Sequence, residues 1–267
     1  MSYSRILLYT GTFVLISLAG IMNAHTTVKA NTSVCAPSMI TPNSLNSTQK
    51  SISVNAASKG DSAAMKCEAS PDRITYQPGF YYEPITDTIK KRIYGYSYKE
   101  DCSIPYEDLR YVSVLYINFE DKTEVGEIIC NKSIAEDLVE IFYGLYQAEY
   151  PIEQIRLIDE YNADDDLSCL DNNTSCFNYR VVAGTTKLSK HAQGLAIDIN
   201  PFYNPYVTYP NGVAHVSPAG SETYADRNAD FAYKIDKNDL CYQLFTAHGF
   251  TWGGNWKTLK DYQHFQK

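Results

Sequence analysis

The chain has no C-x-x-C pair, no internal repeat and no basic patch. The first absence argues against a cysteine-ligated zinc module, which needs thiolates at short spacing. The second argues against a solenoid or propeller. The third accompanies a formal net charge of −8, from 23 basic and 31 acidic residues. So acidic a chain is a poor nucleic-acid binder, and it cannot hold anionic wall polymers by net charge. EF-hand spacing is missing too. Asp164, Asp165 and Asp166 are followed by Leu-Ser-Cys, which breaks a calcium loop, so a solvated loop is expected there. No lipobox cysteine follows the N-terminal apolar run, and Cys35 lies too far along.

What is present fits an exported globular protein. The chain has 267 residues, 44% hydrophobic and 20% charged, enough for one domain with appendages. Arg5 precedes an apolar run over 6–22, and small-residue cleavage sites end at Ala24 and Ala30. This reads as a signal peptide over 1–30, and the polar residues diluting the run favour cleavage over retention as a signal anchor. Residues 1–30 carry Arg5 and Lys29 and no acids, so their removal takes the charge from −8 to about −10. A secreted, extracellular or cell-wall location is expected, with no stable membrane partner once the signal is cut. Residues 31–75 are rich in Ser, Asn, Thr, Ala and Lys and read as a flexible spacer. The folded domain is expected over 76–267, where tyrosine becomes abundant. Seven cysteines in an exported chain suggest disulfides, with at least one left over. Pairing of Cys169 with Cys176, Cys35 with Cys67, and Cys102 with Cys130 is expected, leaving Cys241.

The β-branched and aromatic run 111–119 predicts a strand, and 127–130 its hairpin partner. Ser133, with Glu136 three residues on, predicts a capping box opening a helix over 134–150, stopped by Pro151. A strand is expected over 155–158, and 177–182 is expected to re-enter the sheet carrying Arg180. A helix is expected over 239–248, ended by Gly249, with a strand from Phe250 to follow. These elements predict an α+β fold, a central antiparallel sheet flanked by helices.

The most informative stretch is Ser189-Lys190-His191-Ala192-Gln193-Gly194-Leu195-Ala196-Ile197-Asp198-Ile199-Asn200, with Asp261-Tyr262-Gln263-His264 near the end. Leu195, Ile197 and Ile199 alternate with Ala196, Asp198 and Asn200. Period two predicts a strand with its apolar face on the core and Asp198 on the other face. Ala196 leaves room there, and Gly194 permits a bend and a close backbone approach. His191, Asp198 and His264 supply two imidazoles and a carboxylate, the ligand set of a catalytic zinc hydrolase. Asp261, three residues before His264, supplies a base for the water in the fourth position. Ser189 reads equally as a substrate contact or a turn residue. Trp252-Gly253-Gly254-Asn255-Trp256 suits a cleft wall, and Trp256 reads equally as cleft lining or core. His215 and His248 are not assigned to the metal.

Ser-x-His-x-x-Gly-x-Ala-x-Asp, then Gly-Gly-x-Trp, then Asp-x-x-His-Phe resembles the zinc D-Ala-D-Ala carboxypeptidase family, which includes vancomycin-resistance D,D-peptidases and phage L-alanyl-D-glutamate endopeptidases. The resemblance is nearest the secreted VanY-like branch, where 171–175 leading into 177–180 also looks similar, and it spans 76–267. It implies a hedgehog/D,D-peptidase-like fold and one zinc per chain on His191, Asp198 and His264. Asp261 stands where the family places its catalytic carboxylate, Glu in other branches. Arg180 falls where the family has an arginine near the scissile carbonyl. The extra cysteines and Gln193 depart from the pattern without removing a required group. The implied function is zinc-dependent hydrolysis of peptidoglycan stem peptides, most simply as a D-alanyl-D-alanine carboxypeptidase. An L-alanyl-D-glutamate-type endopeptidase, a hydrolase of ordinary L-peptides and a non-catalytic hedgehog-like zinc-binding module remain the alternatives.

Overall fold

A computed structural model describes residues 70–182 and 184–267. The expected signal segment 1–30, the expected spacer up to residue 69, His25 and the expected Cys35–Cys67 pair lie outside the described residues. The expected spacer ends earlier than residue 75, because Ile74 and Thr75 already pair within the first sheet. Among the described residues no helix is long and apolar enough to cross a membrane.

The tyrosine-rich half builds a four-stranded antiparallel sheet in the order β1 (Ile74–Gln77), β2 (Phe80–Pro84), β3 (Leu109–Ile117) and β4 (Thr123–Asn131), with α1 (Asp87–Ile93) between β2 and β3. The β3–β4 hairpin runs in unbroken register from Leu109↔Asn131 to Ile117↔Thr123. Alternation then sorts the side chains by face. Val112, Val114, Tyr116, Ile128 and Cys130 join the larger core, while Leu109, Tyr111 and Ile129 join a smaller one with Ile89 and Ile93 of α1.

The larger core is closed by α2 (Ala135–Gln147), which buries Leu138, Ile141, Phe142 and Leu145, spaced as one helical face. Burying a side chain of this size contributes about 1.5–3 kcal/mol. The expected capping box does not form. Ile134 occupies the N-cap without a side-chain hydrogen bond, because the Ser133 hydroxyl donates instead to Asn131 Oδ1 at 2.8 Å. The helix stops at Gln147, before Pro151 can act, and Glu149 turns left-handed at φ +52°.

The second half is made of short pieces. They are β5 (Gln154–Ile155), α3 (Asp165–Leu170), β6 (Asn173–Thr174), β7 (Ala196–Asp198), β8 (Tyr206–Thr208), β9 (His215–Ser217), α4 (Leu240–Ala247), β10 (Thr251–Trp252), β11 (Lys260–Asp261) and β12 (His264–Gln266). They form a parallel β5–β6 pair and two antiparallel sheets, ordered β10-β12-β7 and β11-β8-β9. The class is therefore α+β, with antiparallel strands divided among sheets rather than gathered into one.

Two local expectations fail for physical reasons. The acidic triplet is not a loop. Asp164 accepts from the Leu167 amide at 3.0 Å and caps α3, and the next two acids sit in its first turn, where the helix dipole favours them. Residues 177–182 make no strand. The amides of Phe177, Asn178 and Tyr179 donate to Ile129, His191 and Ser97, three separate elements, leaving only an isolated Val181↔Leu188 bridge.

The disulfides expected at the described positions are absent, and Cys102, Cys130, Cys169, Cys176 and Cys241 are all free. Cys102 packs with the smaller core and Cys130 with the larger, on opposite faces of one sheet. Cys169 ends on α3, while the extended β6 carries the chain away to Cys176, whose thiol is buried and donates to the Gly194 carbonyl.

Candidate metal centre

The strand predicted over 195–199 forms as β7, and its sheet sets the site. β12 pairs with it antiparallel, His264↔Asp198 and Phe265↔Ile197. Cross-strand partners share a face. Ile197 and Phe265 therefore enter the core, while Asp198 and His264 stand together on the opposite face. His191 arrives from a 3-10 turn, His191–Gln193, that ends at Gly194 with φ +67°. A Cβ at Gly194 would lie 2.6 Å from the Asn131 amide nitrogen, which itself donates to the Gly194 carbonyl at 2.8 Å. The glycine is thus required for both conformation and close approach, and it fastens the His191 turn to the edge of β4.

Each imidazole has one nitrogen committed elsewhere. His191 Nδ1 lies 2.6 Å from the Cys176 carbonyl oxygen, and His264 Nε2 lies 3.0 Å from Gln266 Oε1. Both partners are acceptors, so both nitrogens carry hydrogen, and His191 Nε2 and His264 Nδ1 are the atoms left to face a metal, the latter once it has given up a proton. These two atoms are 3.1 Å apart. Asp198 completes the set, with Oδ2 3.3 Å from His191 Nε2 and Oδ1 3.0 Å from His264 Nδ1. Ligand atoms on a tetrahedron with ~2.0 Å bonds lie about 3.3 Å apart. One ligand atom from each of the three residues lies within 4.8 Å of the other two, so the set can converge on one small cation. All three residues are buried.

The charges balance only within the group. Burial opposes the Asp198 carboxylate, but the two imidazoles beside it hold its pKa well below the usual range. Burial alone would lower His264, whereas Asp198 holds it up at about 9. A cation binding here must displace a proton from Nδ1. Zinc affinity is therefore expected to rise with pH, by up to about tenfold per unit, until the His264 range near 9 is passed. Competition titrations against a chelator of known affinity check this, and an affinity that is flat from about pH 6 upward would contradict it.

Asp261 stands just outside the ligand triangle, with Oδ2 3.9 Å from His264 Nδ1. Its Oδ1 is buried and, among the described residues, has no hydrogen-bond partner. The loop before it crowds in through Gly253, where a Cβ would come within 2.5 Å of the Asp261 carbonyl oxygen. Burial pushes the Asp261 carboxyl up to about 7; the His264 cation opposes this and the Asp198 charge adds to it. Arg180 is near enough to lower the same carboxyl. It reaches the site from coil rather than from a strand, and its Nε pairs with Asp165 at the start of α3.

Ser189 is buried, and its hydroxyl oxygen accepts from the His191 amide at 3.2 Å, which is the turn role. Trp256 is half-buried, with its ring 5.3 Å from that of His264, while Lys260 Nζ donates to the Gly254 and Trp256 carbonyls and holds the loop. Trp252 is the core tryptophan, donating to the Tyr262 carbonyl at 2.8 Å. His215 is exposed on β9, and His248 caps α4 and lies 3.3 Å from Asp137, so neither joins the group.

Sequence reasoning does not single out Gln266 or Gln263, and it assigns Asp165 to a solvated loop rather than to a pair with Arg180. Gln266 has a legible signal, since two residues after a strand histidine the side chain returns to the same face. Gln263, whose Nε2 lies 3.5 Å from Asp198 Oδ2, has none.

Residues 183–267 match the model of the family described as D-alanyl-D-alanine carboxypeptidase, a zinc peptidase family. It is the family that the motifs resemble. The match includes His191, Asp198, Asp261 and His264 and begins after Arg180. No curated protein and no solved structure matches the chain.

Proposed function

We propose that this chain is a zinc-dependent peptidase that hydrolyses peptidoglycan stem peptides as a D-alanyl-D-alanine carboxypeptidase. The observation that carries the reading is the His191, Asp198, His264 triangle, with both imidazole tautomers fixed by outer partners and an unbonded carboxylate oxygen beside it. The match over 183–267 supports a metallopeptidase acting on this substrate class. The D,D-peptidase-like arrangement of the fold belongs to the same proposal, as do a signal peptide over 1–30, a spacer from residue 31 that ends before β1, a peptidase domain that includes β1 and runs to residue 267, and action outside the cell membrane.

His191, Asp198 and His264 would hold the zinc. Bound there, it supplies a Lewis acid that lowers the pKa of a ligating water to about 7 and polarises a carbonyl oxygen. Asp261 takes the proton of the attacking water and delivers it to the leaving amine nitrogen. Arg180, freed from or shared with Asp165, donates to the developing oxyanion. Trp256 walls the cleft beside His264, and Ser189 keeps the His191 turn in place.

The test is mass spectrometry of muropeptides after incubation with zinc-loaded protein. Loss of one alanine from pentapeptide stems, stopped by a chelator, is the expected result. Cleavage within the stem would assign endopeptidase action instead. Unchanged muropeptides alongside cleaved ordinary L-peptides would remove the cell-wall assignment.

A further inference from the structure

The register of the β11-β8-β9 sheet continues the site beyond Asp261. Asp261 pairs with Tyr206 of β8, and Tyr206 pairs with Ser217 of β9. Directly opposed residues of antiparallel strands project to one face with Cβ atoms about 4.5–5.5 Å apart. A carboxylate, a phenol and a hydroxyl therefore stand in one row, and the row starts at the carboxylate beside His264. The adjacent pair, Lys260 and Val207, serves the other face, where Val207 is buried and Lys260 braces the Trp256 loop.

Two features make Tyr206 a donor toward something not in the chain. Its ring is half-buried, yet among the described residues its hydroxyl has no hydrogen-bond partner. Burial first, and the Asp261 charge second, push its phenol pKa upward, so the hydrogen stays on the oxygen. Asp261 has His264 as one neighbour and Tyr206 as another. In the peptidase reading, on which this inference rests, Asp261 protonates the leaving nitrogen, so the leaving residue lies along this row. A single leaving amino acid carries its terminal carboxylate one carbon from that nitrogen. We infer that the Tyr206 hydroxyl donates to the terminal carboxylate of the leaving D-alanine, with Ser217 as the next hydroxyl in the row.

The experiment compares Tyr206→Phe with the wild type on two peptides, one ending in free D-Ala-D-Ala and one with that terminus amidated. Zinc content and circular dichroism are measured on both proteins. Tyr206→Phe removes one oxygen and keeps the ring, so zinc and fold are expected to be unchanged. The wild type is expected to prefer the free acid. In Tyr206→Phe, kcat/KM on the acid should fall about 10- to 100-fold, mainly through KM, as loss of a hydrogen bond to a charged group does, with little change on the amide. Ser217→Ala should show a smaller loss of the same kind. An equal loss on both peptides, no loss on either, or a wild type indifferent to amidation would overturn the inference while leaving the peptidase reading intact. A zinc-loaded wild type that cuts neither peptide would overturn that reading, and the inference with it.

Discussion

Replacing Asp261 with Ala or Asn is expected to lower kcat by on the order of 10²-fold or more while leaving zinc bound and the fold intact. The geometry sets Asp261 apart from His191, Asp198 and His264. The two imidazole nitrogens and the two Asp198 oxygens make contacts of 3.0–3.3 Å, whereas the nearer Asp261 oxygen is 3.9 Å from His264 Nδ1. Its other oxygen is buried and, among the described residues, unbonded, which costs free energy unless something polar arrives with the substrate. Burial has already pushed this carboxyl up to about 7, into the range a base needs near neutral pH. The sign follows directly. The base works only when ionised, so kcat/KM should decline as pH falls through the Asp261 range, and a nearby cation moves that range below 7. Asp261→Asn keeps the shape and removes the titration, so its residual rate should lack the acid limb assigned to Asp261. Were Asp261 a fourth ligand instead, zinc affinity and thermal stability would drop together in both variants. Metal analysis, melting curves and a pH–rate profile of the same preparations distinguish these outcomes.

The residues of the candidate site are legible in the sequence because they obey local periodicity. Alternation over 195–199 places Asp198 opposite Ile197, and β7 does so. Gly194 was read as a bend with close approach, and it is both. Asp261 and His264, read as two groups reaching one site, sit on consecutive short strands and do so. The long helix and the main hairpin were legible for the same reason, with ends displaced by a few residues. What failed depends on partners distant in sequence. Ser133 looked like a cap, but Asn131 captured its hydroxyl. Residues 177–182 have strand composition, but their amides are spent on three separate elements. The expected cysteine pairs rest on proximity along the chain, while the fold puts Cys102 and Cys130 in different cores on opposite faces of the first sheet. The outer partners of the imidazoles were invisible for a related cause, since one of them is a backbone carbonyl, at Cys176, with no side-chain signature.

Those outer partners set the second large effect. His191→Ala and His264→Ala are each expected to abolish tight zinc binding and, with it, activity. Either change removes one of the three proposed ligands and leaves the buried Asp198 carboxylate with a single imidazole neighbour. Breaking a buried charge pair costs about 3–5 kcal/mol, so the metal-free stability should fall as well, and metal content must be measured on protein shown to be folded. Gln266 supplies the control that a general loss of stability cannot imitate. Its side chain is only half-buried and touches the site through one bond, Oε1 to His264 Nε2 at 3.0 Å. Gln266→Ala leaves all three ligands in place but releases the His264 tautomer, so Nδ1 can carry the proton that Nε2 had held. Loss of such an orienting partner typically lowers metal affinity about 10- to 100-fold. The expected series is therefore graded: no tight zinc in the histidine variants, weakened but stoichiometric zinc in Gln266→Ala, and full zinc in Asp261→Ala. Full occupancy in both histidine variants would remove His191 and His264 from the ligand set. Unchanged affinity in Gln266→Ala would mean that the ring orientation is held by β12 packing alone.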